Sequence, residues 1–176
     1  MSTINRQIKD IESLVNEFSS FARMPTPIFK KMNLVDVVER SIDFYKLSTD
    51  NKINFKSYKK IVHFKYDEEQ LYRVFINLIK NSEDSIKERK EKDKNFKGKI
   101  DIEIEGDNDY IDISIVDNGI GIKDTSKIMT PYFTTKKNGT GLGLPIVNKI
   151  INEHKGEMTI TSLKTGAKVQ ILFPVL

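Results

Sequence analysis

Two asparagines four residues apart, Asn77 and Asn81, lie in the stretch NLIKNSED, and Asp84 follows one helical turn later. Asparagine is a weak helix former that is seldom buried, so two of them among apolar residues favour the edge of a polar cleft. Their carboxamide oxygens suit Mg²⁺, which binds a few protein oxygens together with water and substrate phosphates. Taken alone, the pair is more typical of a helix surface on which two amides share a hydrogen bond.

A second candidate site lies where an alternating apolar segment ends, in DNGIGI. Asp117 is followed there by Gly119 and Gly121. A carboxylate at a strand end can accept a hydrogen bond from an exocyclic amine, and glycines allow the backbone to approach a flat ring closely. A hairpin turn would explain the same residues equally well.

A third candidate site is the stretch PYFTTKKNGTGLGL, in which Gly139, Gly141 and Gly143 alternate directly before a predicted helix. Free backbone N–H groups and a positive helix end favour phosphate binding, and Lys136 adds a cation. Hydroxyl groups accompany them at Thr134, Thr135 and Thr140. The spacing matches neither a P-loop nor a dinucleotide fingerprint. A flexible linker would not explain the helix that follows, so we favour phosphate binding.

The periodicity of the chain predicts the elements that position these residues. Apolar residues at three- and four-residue steps predict helices over residues 4–23, 34–47, 67–91 and 142–154. Asn33 and Asp67 are the predicted caps of the second and third helices, and Gly156 is predicted to end the last one. Strands are predicted over residues 52–58, 60–66, 99–106, 110–117, 157–163 and 167–173. This order predicts an α+β fold, a two-layer sandwich of one mixed sheet with helices on one face.

Composition excludes several classes of function. The 176 residues include no cysteine, which excludes a disulfide framework and thiolate metal sites. The net charge of +4 is spread along the chain, and the most basic stretch, residues 87–99, is interleaved with acids, which argues against nucleic acid as a partner. No apolar run is long enough to span a membrane, so we expect this segment to be cytoplasmic and free of membrane contact.

The two histidines do not suggest a nucleophile set. His63 lies in a predicted strand, and His154 lies at the predicted end of a helix, where the helix dipole would stabilise a cation. Neither belongs to a Ser/His/Asp or Cys/His arrangement. We expect both to be structural.

Taken in order, the motifs resemble those of the catalytic, ATP-binding domain of bacterial sensor histidine kinases, of the GHKL or Bergerat-fold superfamily. NLIKNSED resembles the N box, DNGIGI the first glycine box, PYFTT the F box and GTGLGL the second glycine box. The resemblance covers residues 33–176 and implies a Bergerat-type ATP-binding fold. Residues 1–24 resemble the end of the second dimerisation helix of nitrogen-regulation (NtrY/NtrB-like) kinases, and residues 25–32 are then the linker.

The resemblance implies a role for each motif at the adenine and metal end of the site. Asn81 would ligate the Mg²⁺ that bridges the ATP phosphates, with Asn77 beside it. Asp117 would accept the adenine amino group, while Gly119 and Gly121 would shape the base pocket.

The remaining motifs imply a lid over the triphosphate. The glycines at 139, 141 and 143 would wrap the phosphates, and Phe133 would anchor the lid. Lys136 as a contact to the γ-phosphate is a physical inference, and with Asn77 and Asn81 it completes the expected catalytic set. The other expected nucleotide-binding residues are Asp84, Ile122, Thr134, Thr135, Thr140, Leu142 and Leu144.

One position distinguishes branches of the superfamily. Hydrolysing members carry a glutamate where this chain has Asn77, and a carboxamide cannot take a proton from water at neutral pH. We therefore expect ATP binding with poor hydrolysis, which preserves the γ-phosphoryl group for a histidine on a dimerisation domain and then for a response regulator. The full-length protein is expected to be a homodimer, with a membrane anchor as an open possibility.

Departures from the family pattern are mild. No histidine precedes Pro25, so we expect the chain to begin after the acceptor histidine and to be unable to phosphorylate itself. Ser82 and Ser85 stand where alanine is usual, and Lys155 replaces a frequent glycine. None of these three is expected to touch the proposed ligands. Two alternatives stay open: a serine protein kinase of the anti-sigma type, and a non-catalytic dimerisation or interaction module.

Overall fold

The computed structural model describes residues 24–122, 124–134, 136 and 139–175, together with the single positions 8, 15 and 19. The predicted N-terminal helix over residues 4–23 therefore lies almost entirely outside the described residues. Thr135 of the candidate site lies outside them as well. The domain boundaries at residues 24 and 32 stay predictions.

Three helices lie within residues 24–175 as described. They are α1 (Leu34–Lys46), α2 (Glu68–Lys92) and α3 (Gly143–Glu153). Both predicted caps are confirmed, because Oδ1 of Asn33 accepts from the backbone N–H of Val35 at 3.3 Å and Oδ1 of Asp67 accepts from that of Gln70 at 3.0 Å. None of these described helices is both long and apolar enough to cross a lipid bilayer.

The end of α3 differs from the prediction. Lys155, rather than Gly156, takes the left-handed conformation that ends the helix, with φ of 62°. The backbone N–H of Gly156 then donates to the carbonyl of Ile151 at 2.9 Å. Gly156 has a different reason to lack a side chain, because a Cβ there would lie 2.6 Å from the ring of Phe173.

The strands among the described residues are β1 (Lys30–Asn33), β2 (Lys52–Ser57), β3 (His63–Tyr66), β4 (Lys99–Gly106), β5 (Tyr110–Asp117), β6 (Glu157–Ser162) and β7 (Ala167–Pro174). Five of them form one mixed sheet in the order β2-β4-β5-β7-β6, in which β2 and β4 are parallel and the other pairs antiparallel. The prediction of a single sheet is wrong in one respect, since β3 pairs with β1 in a separate two-stranded ribbon. Alternation identified β3 as a strand but could not identify its partner.

The core lies between the sheet and the helices, as the α+β prediction requires. Alternate residues of β4 and β5 are at most 1% exposed and face it: Ile100, Ile102, Ile104, Ile111, Ile113 and Ile115. Leu71, Phe75 and Leu78 of α2 belong to the same buried cluster. The next inward position on β5 after Ile115 is Asp117, so the fold places a carboxylate where the alternation calls for a core residue.

Candidate functional site

One face of α2 runs along the whole candidate site. Asn77, Asn81, Ser85 and Arg89 are spaced four residues apart in the helix, so they lie in a row on that face. Twelve residues of helix span about 18 Å, which is on the scale of an extended nucleoside triphosphate. The row connects the predicted metal end of the site with the predicted adenine end.

Asp117 is a buried carboxylate, with 7% of the residue exposed. Burial raises the pKa of Asp117 above its ordinary value, and hydrogen bonds from the backbone of Gly119 and Ala167 and from Ser82 and Ser85 oppose this shift. The Gly119 N–H donates to Oδ1 at 2.8 Å and the Ser85 hydroxyl lies 3.4 Å from the same oxygen. The side chain is therefore an acceptor held in a fixed orientation.

The expectation that Ser82 and Ser85 stay clear of the proposed ligands is wrong. The Ser85 hydroxyl donates to Oδ1 of Asp117 at 3.4 Å, and Ser82 is close enough to favour the charged form of the same carboxyl group. Ser85 Oγ also accepts from the backbone N–H of Ile120 at 3.1 Å. A Cβ on Gly119 would lie 2.2 Å from Ser85 Oγ, so this glycine allows the loop to rest directly on α2. The four-residue spacing from Asn81 to Ser85 in the sequence already placed Ser85 on the same face of the helix as Asn81.

Arg89 is a further site residue that sequence reasoning missed. Its guanidinium donates to the carbonyls of Asn118 at 2.7 Å and Gly119 at 3.1 Å, and its Cζ lies 4.2 Å from the centroid of the Phe96 ring. The side-chain oxygen of Asn118 in turn accepts from the backbone N–H of Lys99 at 2.8 Å. The first glycine box is thereby attached to both α2 and the start of β4.

The turn between β6 and β7 packs against the other side of the first glycine box. Gly166 has φ of 83°, and a Cβ there would lie 1.9 Å from the carbonyl oxygen of Asp117. Gly121 also has a positive φ, 75°, and the backbone N–H of Ile122 donates to Ser162 Oγ at 3.1 Å. We call this assembly the floor; it consists of residues 117–122 with Ser85, Arg89 and Gly166.

The F box and the second glycine box form a second assembly, which we call the lid: residues 124–134, 136 and 139–142. The backbone N–H of Tyr132 donates to the carbonyl of Gly141 at 3.1 Å. Both residues have positive φ, 67° and 71°, and a Cβ on Gly141 would lie 2.4 Å from the carbonyl carbon of Tyr132. Phe133, the predicted anchor, is half-buried, and its N–H donates to the carbonyl of Thr130 at 3.1 Å.

Lys136 contacts four other predicted site residues. Its Nζ donates to Asn81 Oδ1 at 2.9 Å and to Asp84 Oδ2 at 2.8 Å. Its backbone N–H donates to Thr134 Oγ1 at 3.1 Å, and its carbonyl accepts from the N–H of Gly139 at 3.2 Å. The predicted metal site therefore already holds a cation, the ammonium group of the lid.

The start of α3 lies against Asn77. A Cβ on Gly143 would lie 3.2 Å from Asn77 Oδ1, while Asn77 Nδ2 donates to the carbonyl of Arg73 at 2.8 Å. Leu142 supplies no side-chain cap, and the first turn of α3 holds no acidic residue, which leaves the positive helix end suited to an anion. Leu142 is fully buried and Leu144 partly buried in the core, so these two side chains anchor the helix start.

His154 lies outside the cleft and is buried, which agrees with the expectation that it is structural. Burial lowers its pKa below the ordinary value. Nε2 accepts from the backbone N–H of Asp67 at 3.0 Å, and Nδ1 lies 2.8 Å from the carbonyl of Ile150, so a neutral ring with its proton on Nδ1 satisfies both contacts. The ring joins the start of α2 to the end of α3. His63 is exposed on the two-stranded ribbon.

With this geometry established, residues 66–176 match the family described as histidine kinase-, DNA gyrase B- and HSP90-like ATPases. The chain belongs to this family. It is similar to the NtrY-like sensor histidine kinase of Rickettsia felis, with 36% identity over 177 residues that cover 98% of this chain and 28% of that protein. The chain thus spans less than a third of that relative's length. The resemblance to nitrogen-regulation kinases is confirmed.

Solved structures give the same fold. The catalytic domain of histidine kinase ThkA has a TM-score of 0.73 and 26% identity, and the match covers 84% of this chain and 98% of that one. ThkA in complex with the response regulator TrrA has a TM-score of 0.79 at 22% identity, over 99% of this chain and 50% of that one. The predicted α+β fold of a histidine kinase catalytic domain is confirmed.

Proposed function

We propose that this domain binds Mg²⁺-ATP and donates the γ-phosphoryl group to a histidine on a dimerisation domain, for relay to a response regulator. The proposal rests chiefly on one observation: α2 connects the buried carboxylate of Asp117 at one end of the site with the cation-holding pair Asn81 and Asp84 at the other. The family to which the chain belongs supports ATP as the ligand.

Asp117 selects the base. Its carboxylate is oriented by the Gly119 N–H and by Ser85, and it can accept one more hydrogen bond from a donor that enters the pocket. The exocyclic amine of adenine is such a donor. Guanine presents a carbonyl oxygen at the same ring position, which would face the carboxylate as a second acceptor, so we expect the site to reject GTP.

The residues at the other end of α2 fit Mg²⁺. Asn81 Oδ1 and Asp84 Oδ2 converge on a single cation, the Nζ of Lys136, and such a pair of hard oxygen ligands suits Mg²⁺. When bound with ATP, Mg²⁺ would neutralise part of the phosphate charge. Asn81 and Asp84 would hold it, and the uncapped start of α3 would bind phosphate oxygens through backbone N–H groups.

Asn77 accounts for slow hydrolysis. Its amide nitrogen is committed to the carbonyl of Arg73, and its oxygen is a carboxamide oxygen that cannot take a proton from water. Transfer to another acceptor requires positioning and charge neutralisation more than proton abstraction by the enzyme. The glycine-loop amides, the start of α3 and the Lys136 ammonium supply both.

The acceptor in this proposal is on another segment. The sequence has two histidines, of which His154 is buried with both ring nitrogens engaged and His63 lies on the two-stranded ribbon. We therefore expect no autophosphorylation of this 176-residue chain on histidine. In the full-length protein we propose a homodimer with the catalytic domain in the cytoplasm, acting on the histidine of its own or its partner's dimerisation helix.

The test combines the domain, ATP, Mg²⁺ and a separately produced histidine-bearing dimerisation segment of an NtrY-like kinase. The proposal expects acid-labile, base-stable phosphate on the added segment, none on the domain, and slow phosphate release without the segment. At ATP concentrations below saturation, Asp117→Asn should strongly reduce the transfer, and Asp112→Asn on the outer face of the same strand should preserve it. Acid-stable phosphate on serine would favour the anti-sigma-type alternative, and absence of ATP binding would favour the interaction module.

A further inference from the structure

The contact between the lid and α2 uses the atoms that the proposed function assigns to the metal. Lys136 Nζ lies 2.9 Å from Asn81 Oδ1 and 2.8 Å from Asp84 Oδ2. The Lys136 and Asp84 side chains are each 38% exposed, so water and solutes can reach the pair. An ammonium and a divalent cation cannot share these two oxygens, because their like charges repel at this distance.

We propose that Lys136 is an internal competitor of the divalent cation, which occupies the metal position in the nucleotide-free domain and ties the lid to α2 until Mg²⁺-nucleotide replaces it. This inference rests on the proposed function and names the regulation of the same site. In this exchange Mg²⁺ replaces the Lys136 ammonium. Asn81 and Asp84 bind the metal in place of the ammonium, and the released ammonium pairs with the phosphates.

The charges decide when the exchange is favourable. A metal ion alone must displace the ammonium from Asp84 and leaves Lys136 without its partners. A metal ion that arrives with a polyphosphate brings new anionic oxygens for the released lysine, which restores charge-assisted hydrogen bonds. Lys136 therefore disfavours the binding of a metal ion without nucleotide and favours the binding of metal and nucleotide together.

The release also reaches the rest of the lid. Lys136 belongs to a short turn in which its N–H donates to Thr134 Oγ1 and its carbonyl accepts from Gly139. Gly141 follows two residues after Gly139, and its carbonyl accepts from the N–H of Tyr132, so these bonds lie next to the contact between the F box and the second glycine box. When Nζ leaves α2, the described lid residues lose the ion pair that holds this turn against the helix.

The first experiment measures metal competition by calorimetry with ADP, with Mg²⁺ and with EDTA, on the wild-type chain and on Lys136→Met. ADP is chosen because it lacks the γ-phosphate that Lys136 would contact. Without its competitor, the variant should show a larger affinity gain from Mg²⁺, by about three- to fivefold, as expected for an ion pair this exposed. Lys127→Met is the matched control, since Lys127 pairs with Asp124 within the lid at 3.9 Å.

The second experiment measures amide hydrogen exchange of the lid without nucleotide. Lys136→Met and Asp84→Asn should both speed exchange over residues 124–142, and Lys127→Met should not. If amide exchange in the lid is unchanged in Lys136→Met, Lys136 does not tie the lid to α2, whether or not ADP binds. An equal Mg²⁺ effect in wild type and Lys136→Met would overturn the competition, provided that the wild type binds ADP. Failure of the wild type to bind ADP would overturn the proposed function instead, and lid exchange would still decide the tether.

Discussion

The floor and the lid are held by different kinds of contact. The floor is built from buried and backbone-directed bonds: Asp117 is 7% exposed, Arg89 binds two backbone carbonyls, and Gly166 packs on the backbone of Asp117. Half of the described lid residues are exposed, and the described attachment of the lid to α2 is a half-exposed ion pair. The difference indicates that the proposed adenine end of the site is already formed in the nucleotide-free domain, whereas the proposed phosphate end is held by bonds that a nucleotide could replace.

Glycine substitutions in the two regions should give the largest difference. Gly166→Ala in the floor forces a Cβ against the Asp117 carbonyl at a positive φ, so we expect a loss of about 2–4 kcal/mol in the free energy of unfolding. Gly139→Ala in the lid meets the movable Thr134 hydroxyl, so we expect a change within about 0.5 kcal/mol. Urea unfolding followed by circular dichroism measures both. Equal losses in the two variants would contradict a preformed floor.

Removing one cation from each region gives a smaller difference. Arg89→Met leaves the carbonyls of Asn118 and Gly119 without a donor, and we expect it to cost about 1–2 kcal/mol of stability. Lys127→Met in the lid removes only an exposed pair with Asp124 and should cost less than about 0.5 kcal/mol. The same unfolding experiment measures both variants. A neutral Arg89→Met would show that Arg89 does not support the floor.

Acid should weaken the contact between the start of α2, the helix that carries Ser85 and Arg89 of the floor, and the end of α3. The pKa of His154 is lowered from 6.5 in the folded chain, so between that lower value and 6.5 the unfolded chain binds more protons. Stability is complete above about pH 6.5 and falls on acidification, by at most about 1.4 kcal/mol per pH unit. Urea midpoints at pH 7.5 and 5.5 should show this fall in wild type and a smaller one in His154→Gln.

The raised pKa of Asp117 acts in the opposite direction. At pH values between 3.8 and the raised pKa of Asp117, the folded chain binds more protons than the unfolded chain. Protonation of Asp117 therefore stabilises the fold as the pH falls through this range. The comparison with His154→Gln separates the two groups, because Asp117 is present in both proteins. An identical pH dependence in the two proteins would contradict the role of His154.

Lys155→Gly should give the smallest effect, and it should stabilise the protein. Lys155 has φ of 62°, a conformation that costs a side-chain-bearing residue energy and costs glycine little. We expect a gain of about 0.5–1 kcal/mol in unfolding free energy, with no change in nucleotide affinity because Lys155 is outside the floor and the lid. A loss of stability on urea unfolding would show that the Lys155 side chain makes a contact that outweighs the strain.

Regular periodicity explains which parts of the fold could be predicted from the sequence. The alternation of isoleucines along β4 and β5 predicted both strands and placed Asp117 at the end of the second. The caps Asn33 and Asp67 predicted the starts of α1 and α2 because their side chains bond the adjacent backbone. These signals are local, and the structure confirms them.

The missed features depend on contacts between residues distant in the sequence. In the sequence, Arg89 cannot be distinguished from any other charged residue near the end of a helix. Its role depends on the first glycine box, which folds against it. Gly166 resembles an ordinary turn residue, and its packing on Asp117 follows from the pairing of β5 with β7. The alternation of apolar residues in β3 likewise could not predict that β3 pairs with β1. Ser85 could have been found from its four-residue step after Asn81.

Nucleotide titration by calorimetry tests most directly whether the floor forms an adenine site around Asp117, as we propose. ATP and GTP are titrated with Mg²⁺ into wild type, Asp117→Asn and Asp112→Asn; Asp112 bonds Gln170 on β7 and faces away from the core. We expect wild type and Asp112→Asn to bind ATP and not GTP, and Asp117→Asn to lose about 100-fold in ATP affinity, or about 2.7 kcal/mol. Equal ATP binding by Asp117→Asn and wild type, or equal binding of ATP and GTP by wild type, would contradict the account.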